Sequence, residues 1–182
     1  MSIKDWGVDR TWTLFLDRDG VINERIWGGY VTDRSEFKFL PEVKEAIRGF
    51  GRYFGLIIVV TNQQGIGKGI MTERNLFDVH NYMCDEVYRA GAKIDKCYFA
   101  PNLKGAEDDM RKPNPGMAIM AKEEFPQIDF EHTVMVGDTD TDIEFGRNLG
   151  MKTVRVLTEE PVSVKADASV HSLIELLNEL NK

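Results

Sequence analysis

Short apolar runs alternate along the chain with stretches in which apolar residues recur every three or four positions. The runs fall at 11–16 around Leu14-Phe15-Leu16, at Leu56-Ile57-Ile58-Val59-Val60, more loosely at 94–99, at Thr133-Val134-Met135-Val136, and from Lys152 to Leu157. Runs of this length bounded by turn residues predict buried strands. Between them, helical spacing predicts a helix from Pro41, a good first-turn residue, with Val43, Ile47 and Phe50 on one face. A second covers roughly 72–90, with Thr72 as N-cap and Leu76, Val79, Met83 and Val87 in line. Others cover 116–125, the stretch that ends near Leu149 before the helix stop Gly150, and a tail at about 170–181 carrying Leu173, Leu176, Leu177 and Leu180. Residues 1–10 read as a loose or edge-packed lead-in. Residues 23–40 read as irregular around Trp27-Gly28-Gly29-Tyr30, with Trp27 expected in the core or at a rim. Strands alternating with helices predict an α/β fold: a three-layer α/β/α arrangement about a mainly parallel sheet, in one domain over 1–182.

Composition narrows the function classes. The chain has 182 residues, 42% hydrophobic and 29% charged, enough for a full core. With 23 basic against 30 acidic residues the net charge is -7, which argues against a nucleic-acid partner. Cys84 and Cys97 make neither a disulfide framework nor a Cys-rich zinc site. Leu56–Val60 is far too short an aliphatic run to span a bilayer, and Met1 to Trp6 contain no apolar signal core. Cytoplasmic residence, no membrane contact and a monomeric state are the expectations.

Candidate chemistry collects where the apolar runs end. Leu16 runs straight into Asp17-Arg18-Asp19-Gly20, Val60 into Thr61-Asn62-Gln63-Gln64-Gly65, and Val136 into Gly137-Asp138-Thr139-Asp140-Thr141-Asp142. In a parallel sheet those strand ends share the edge where ligands bind. Carboxylates gathered there are costly to bury without a cation. A Ca²⁺ loop needs glycine at its sixth position and Glu at its twelfth. Counting from Asp17 these are Ile22 and Gly28, and from Asp138 they are Ile143 and Leu149, so that reading fails at both places. A plain polar turn at Asp17–Gly20 is the competing reading. With the basic pair Arg111-Lys112, the set suits Mg²⁺ held by oxygen ligands beside a phosphate, with Asp17 attacking phosphorus and Asp19 moving a proton. His80, His132 and His171 sit on none of these clusters and are expected to pack or lie at the surface.

These residues, in this order, resemble the haloacid dehalogenase superfamily of phosphatases. The resemblance rests on Asp17-Arg18-Asp19-Gly20, Thr61 after a strand, Lys112, and Gly137-Asp138 with Asp142, and spans nearly the whole chain. It implies Asp17 as nucleophile, Asp19 as general acid and base, and Thr61 and Lys112 on the phosphoryl group. Mg²⁺ would rest on the side chains of Asp17 and Asp138 and the main-chain carbonyl of Asp19, with Asp142 in support. The strings from Phe15 to Asn23, Thr61 to Gly69 and Arg111 to Met117 resemble the small branch without a cap domain, whose members act on heptose bisphosphate or histidinol phosphate. In that branch, substrate contacts map onto Gly29, Tyr30, Asn62, Gln63, Gln64, Arg111 and Lys112, and loops at about 24–32 and 100–112 would close the site.

The implied partner is a small phosphorylated metabolite, with heptose bisphosphate first and histidinol phosphate second. A polynucleotide 3′-phosphatase is disfavoured by acidity, and a non-catalytic binding protein by the intact acidic and basic residues. Members of the branch often carry four zinc ligands before Arg-Lys-Pro. Here the matching positions read Ala100-Pro101-Asn102 and Asp108-Asp109-Met110, so no structural zinc is expected.

Overall fold

The computed structural model describes residues 3–107 and 109–182. Six strands form one sheet: β1 (Thr13–Leu16), β2 (Leu56–Asn62), β3 (Lys96–Ala100), β4 (Thr133–Gly137), β5 (Lys152–Val156) and β6 (Ala168–Val170). Their order is β3-β2-β1-β4-β5-β6, and every pairing is parallel. The chain moves outward from β1 through β2 to β3, then crosses back to β4 on the other side. The crevice of such a sheet opens at that reversal, here between β1 and β4. Register sets Leu16 level with Val59 on one side and Val136 on the other, and the Asp17 N–H donates to Val136 O at 2.9 Å.

The helices are α1 (Val43–Phe50), α2 (Gln64–Gly67), α3 (Glu73–Arg89), α4 (Gly116–Glu124), α5 (Asp140–Asn148) and α6 (Leu173–Leu180). Alternation along the strands divides the core into two layers. Leu14, Leu16, Ile57, Val59, Val134 and Val136 face α1, α3 and α6. Phe15, Ile58, Val60 and Met135 face α4 and α5 through Met117, Ala118, Ala121 and Phe145. This is the expected three-layer α/β/α arrangement. Leu173, Leu176 and Leu177 of α6 are buried, each worth about 1.5–3 kcal/mol over its exposed state.

Local signals explain most boundaries. Thr72 caps α3 through a reciprocal box with Asn75. Ser172 accepts from the Glu175 N–H at the start of α6. The first helix begins at Val43 and not at Pro41, because Glu42 takes a left-handed conformation at φ 58°. The tail helix begins at Leu173, and the residues just before it make β6 at the sheet edge. Ile3–Trp6 form a 3₁₀ turn, and Ile3 and Trp6 join the α1/α6 core, so the lead-in is edge-packed. Among the described residues, no helix is long and apolar enough to cross a membrane.

Candidate active site

The crevice holds a cavity of ≈380 Å³ lined by Asp17, Asp19, Thr61, Asn62, Arg111, Lys112 and Asp142 at its base and by Arg25 to Val31 at its wall. The base residues come from the last two positions of β2, the turn after β1, the first turn of α5 after β4, and the loop latched beside β2. The chain leaves β1 through a tight turn in which Arg18 O accepts from the N–H groups of Val21, Ile22 and Asn23. Gly20 has φ +90°, and a Cβ there would stand 2.4 Å from Asp138 Oδ2. Only glycine permits both that backbone and that approach. The turn reading of Asp17–Gly20 thus survives as the geometry that brings the two acidic clusters together.

Lys112 is the centre of charge. Its ammonium is 2.8 Å from Asp17 Oδ1 and 2.6 Å from Asp142 Oδ1, and it donates to Val60 O at 2.7 Å. Burial opposes its charge, but the Asp142 and Asp17 carboxylates outweigh burial and hold its pKa above the ordinary value. Asp142 is committed on both oxygens: Oδ1 to Lys112 and Oδ2 to the Thr139 N–H and hydroxyl in a capping box that starts α5. Its pKa stays below the ordinary value because Lys112 and these hydrogen bonds overcome its burial.

Two carboxyls run the other way. Burial raises Asp17 to about 6 despite Lys112, with Asp142 and Asp19 adding to the rise. Burial and the charges of Asp17 and Asp142 raise Asp138 to about 8 against Arg25 and Lys112. Asp17, Asp138 and Asp142 each offer an oxygen within 4.8 Å of the others. Asp138 Oδ1 accepts from Arg25 at 2.9 Å, while the buried Oδ2 has no hydrogen-bond partner. A buried carboxylate oxygen without a donor, among converging acids, is what a hard divalent cation satisfies. The donor set therefore fits Mg²⁺.

Asp19 is arranged differently. Its Oδ1 accepts from Arg18 at 2.8 Å and Asn23 at 2.9 Å, and its Oδ2 accepts from Gln63 Nε2 at 2.9 Å. Burial would raise its pKa, but Arg18 and these donors hold it below the ordinary value. The carboxylate keeps partial exposure to the cavity, and its carbonyl accepts from Arg25 at 3.3 Å. Gln63 Nε2 also donates to Thr61 Oγ1 at 2.9 Å, leaving the Thr61 hydroxyl proton free for a ligand.

The expected substrate contacts divide. Gly29, Tyr30, Asn62, Arg111 and Lys112 line the cavity, whereas Gln63 and Gln64 do not. Gln63 is buried against Asp19 and Thr61, and Gln64 opens the short helix α2. The Asn62 side chain accepts from Lys112 N at 2.9 Å and donates to Lys112 O at 3.2 Å, so its amide fixes the lysine. Trp27 is 58% exposed on the wall, 5.6 Å from the Arg25 guanidinium, so it is a rim residue and not core. Among the described residues of the loop at 100–112, only Arg111 and Lys112 line the cavity. Asp109 holds that loop by accepting from Gly105 N and Arg111 N, with its carbonyl accepting from Asn114 Nδ2; Asp108 lies outside the described residues.

Arg25, Lys68, Thr139, Thr141 and Glu160 also line the site, and sequence reasoning did not single them out. Arg25 alone carried a signal, as a cation eight residues after Asp17. His80 is buried in α3, where Arg18 Nη1 meets Nε2 at 3.3 Å. His132 is exposed beside Asp129. Neither lines the cavity.

Comparison with known proteins agrees with this geometry. A family model described as HAD-hydrolase-like matches residues 109–176. The D-glycero-alpha-D-manno-heptose-1,7-bisphosphate 7-phosphatase of Campylobacter jejuni is 37% identical over 169 residues, covering 93% of this chain and 95% of its own length. The protein of the same name from Burkholderia mallei is 38% identical over 164 residues, covering 86% and 85%. The fold matches that of D,D-heptose 1,7-bisphosphate phosphatase from B. bronchiseptica complexed with magnesium and phosphate, with a TM-score of 0.82 at 22% identity over 93% of this chain and 98% of that one. With a relative this similar over nearly its full length, the chain belongs to the haloacid dehalogenase superfamily and is a phosphatase of the branch that holds the heptose bisphosphate enzymes.

Proposed function

We propose that the protein hydrolyses the 7-phosphate of D-glycero-D-manno-heptose 1,7-bisphosphate through an aspartyl-phosphate on Asp17. The observation that carries the chemistry is the Asp17 carboxylate held on one oxygen by Lys112, beside the unpartnered Asp138 Oδ2. The name and coverage of the Campylobacter jejuni relative support the substrate. Asp17 and Asp138, with the carbonyl of Asp19, would hold Mg²⁺, which neutralises phosphate charge and orients it for in-line attack.

Lys112 orients Asp17 and sets its positive charge beside the phosphoryl group, and the free Thr61 hydroxyl proton takes a phosphoryl oxygen. An Asp17 oxygen forms the new bond to phosphorus as the bond from phosphorus to the sugar oxygen breaks. Asp19 gives its proton to the departing alkoxide. The arriving phosphate raises the proton affinity of Asp19 above the depressed value set by its donors. Asp19 then takes a proton from water as that water attacks phosphorus, releasing inorganic phosphate and restoring Asp17.

The test is a substrate panel with both anomers of the bisphosphate, histidinol phosphate and a 3′-phosphorylated oligonucleotide, each with Mg²⁺. The bisphosphate should have the highest kcat/KM; faster turnover of histidinol phosphate would refute the substrate choice. Asp17→Asn should lower kcat by roughly a thousandfold or more. Activity retained in that variant would remove Asp17 as the nucleophile.

A further inference from the structure

Arg25 reaches the site from the wall of the cavity. Its Nη2 donates to Asp138 Oδ1 at 2.9 Å and to the Asp19 carbonyl at 3.3 Å. Those oxygens belong to two of the three groups proposed to hold the metal. Its Nη1 lies 3.2 Å from Glu160 Oε2, and its guanidinium sits 5.6 Å from the centre of the Trp27 ring. The Arg25 side chain is 22% exposed and the Asp138 side chain 1%. The arginine is thus anchored outside by Glu160 and Trp27 and reaches inward onto a buried acid.

We infer that Arg25 is a built-in counter-ion that competes with the divalent cation for Asp138 and the Asp19 carbonyl, with Glu160 and Trp27 forming the perch to which it withdraws. The inference rests on the Mg²⁺ reading above. A cation on Asp138 Oδ2 and the Asp19 carbonyl would stand beside a guanidinium on Asp138 Oδ1 and that same carbonyl, and two positive charges this close repel strongly next to so buried an acid. Arg25 therefore stabilises the metal-free crevice, where Lys112 reaches Asp17 and Asp142 and Arg25 reaches Asp138. The metal must displace it, so apparent affinity falls by the fraction of molecules in which Arg25 is engaged. Glu160 acts in the opposite sense, since it holds Nη1 while Nη2 is on Asp138 and remains the guanidinium's partner when Asp138 is given up.

The experiment is calorimetric titration of the full chain, stripped with chelator, with Mg²⁺ and with Mn²⁺. Arg25→Gln should tighten binding by about tenfold, on the order of one partly buried ion pair. The same variant should lower the thermal midpoint of the metal-free protein, and saturating Mg²⁺ should restore it. Glu160→Gln, at a side chain 30% exposed, should weaken binding in the wild type and much less in the Arg25→Gln background. Unchanged or weaker binding in Arg25→Gln would overturn the counter-ion, as would an equal effect of Glu160→Gln in both backgrounds. A wild type and an Arg25→Gln variant that both fail to take up metal would remove the metal site and the counter-ion together. Metal uptake by the wild type that is lost in Asp138→Asn supports the site independently of Arg25, so failure of the counter-ion alone stays distinguishable from failure of the metal site.

Discussion

Replacing Lys112 by methionine tests the electrostatic centre of the site. The substitution keeps much of the side chain's length and removes its charge. The lysine side chain is 1% exposed and meets Asp17 at 2.8 Å, Asp142 at 2.6 Å and Val60 O at 2.7 Å. Removing one partner of a buried ion pair costs about 3–5 kcal/mol, because the other charge is left without compensation. Here two carboxylates lose their cation, within 4.8 Å of Asp138, which keeps Arg25. Against a typical total stability of about 5–15 kcal/mol, that is a large share. Lys112→Met in chelator should therefore lose about 3–5 kcal/mol by urea unfolding near neutral pH, with the m-value unchanged. Adding Asp142→Asn removes one orphaned charge and should recover about 1–2 kcal/mol. A loss below about 1 kcal/mol, or a double variant weaker than Lys112→Met alone, would refute the claim that Lys112 compensates these acids.

Three further outcomes follow from other parts of the fold. Burial pushes His80 down to about 3 from 6.5, with the Arg18 charge adding to the drop, and since an arginine only donates, the Nε2 that faces it is unprotonated. The unfolded chain binds a proton below 6.5 that the folded chain refuses, so stability falls as pH drops from 6.5 toward 3; His80→Gln should escape about 2 kcal/mol of the loss between pH 6.5 and about 5, and parallel wild-type and variant profiles in urea would exclude the effect. Asp109→Ala removes the acceptor for Gly105 N and Arg111 N, and should speed proteolysis within 101–110 and lower kcat/KM by about tenfold through misplaced Arg111; an unchanged cleavage rate would mean that other contacts hold the loop. Gly20→Ala should displace Asp138 and weaken Mg²⁺ binding in calorimetry by about tenfold or more, because its Cβ would stand 2.4 Å from Asp138 Oδ2; wild-type affinity would show that the turn can yield.

The strands that end at the crevice were legible because they are buried on both faces, which removes polar residues from their interiors and leaves abrupt polar ends at Asp17, Thr61 and Asp138. Strand β6 was hidden because it has three residues at the sheet edge, one of them exposed, so no apolar run forms. Pro41 gave a sound helix signal, but its neighbour Glu42 turns left-handed, which no side-chain pattern announces. The acids and the lysine that gather at the crevice stand out in the sequence because their motifs are short and local. The roles of Gln63 and Asn62 do not. The resemblance implies substrate contacts at both; in the fold Gln63 reaches back to Asp19, and Asn62, which lines the cavity, reaches forward to Lys112, across separations of 44 and 50 residues. Arg25 was missed for the same reason: its partners Asp138 and Glu160 lie 113 and 135 residues away.

The paired hydrogen bonds between the Asn62 amide and the Lys112 backbone set how this chain tolerates change. They peg the lysine directly to the end of β2, so its address does not depend on the path the chain takes between β3 and Arg111. That intervening segment becomes interchangeable hardware, held here by one set of cross-braces organised by Asp109. Insertions or deletions placed between Leu103 and Glu107 should accordingly alter the reach of the rim while leaving the distance from Lys112 to Asp17 as it is.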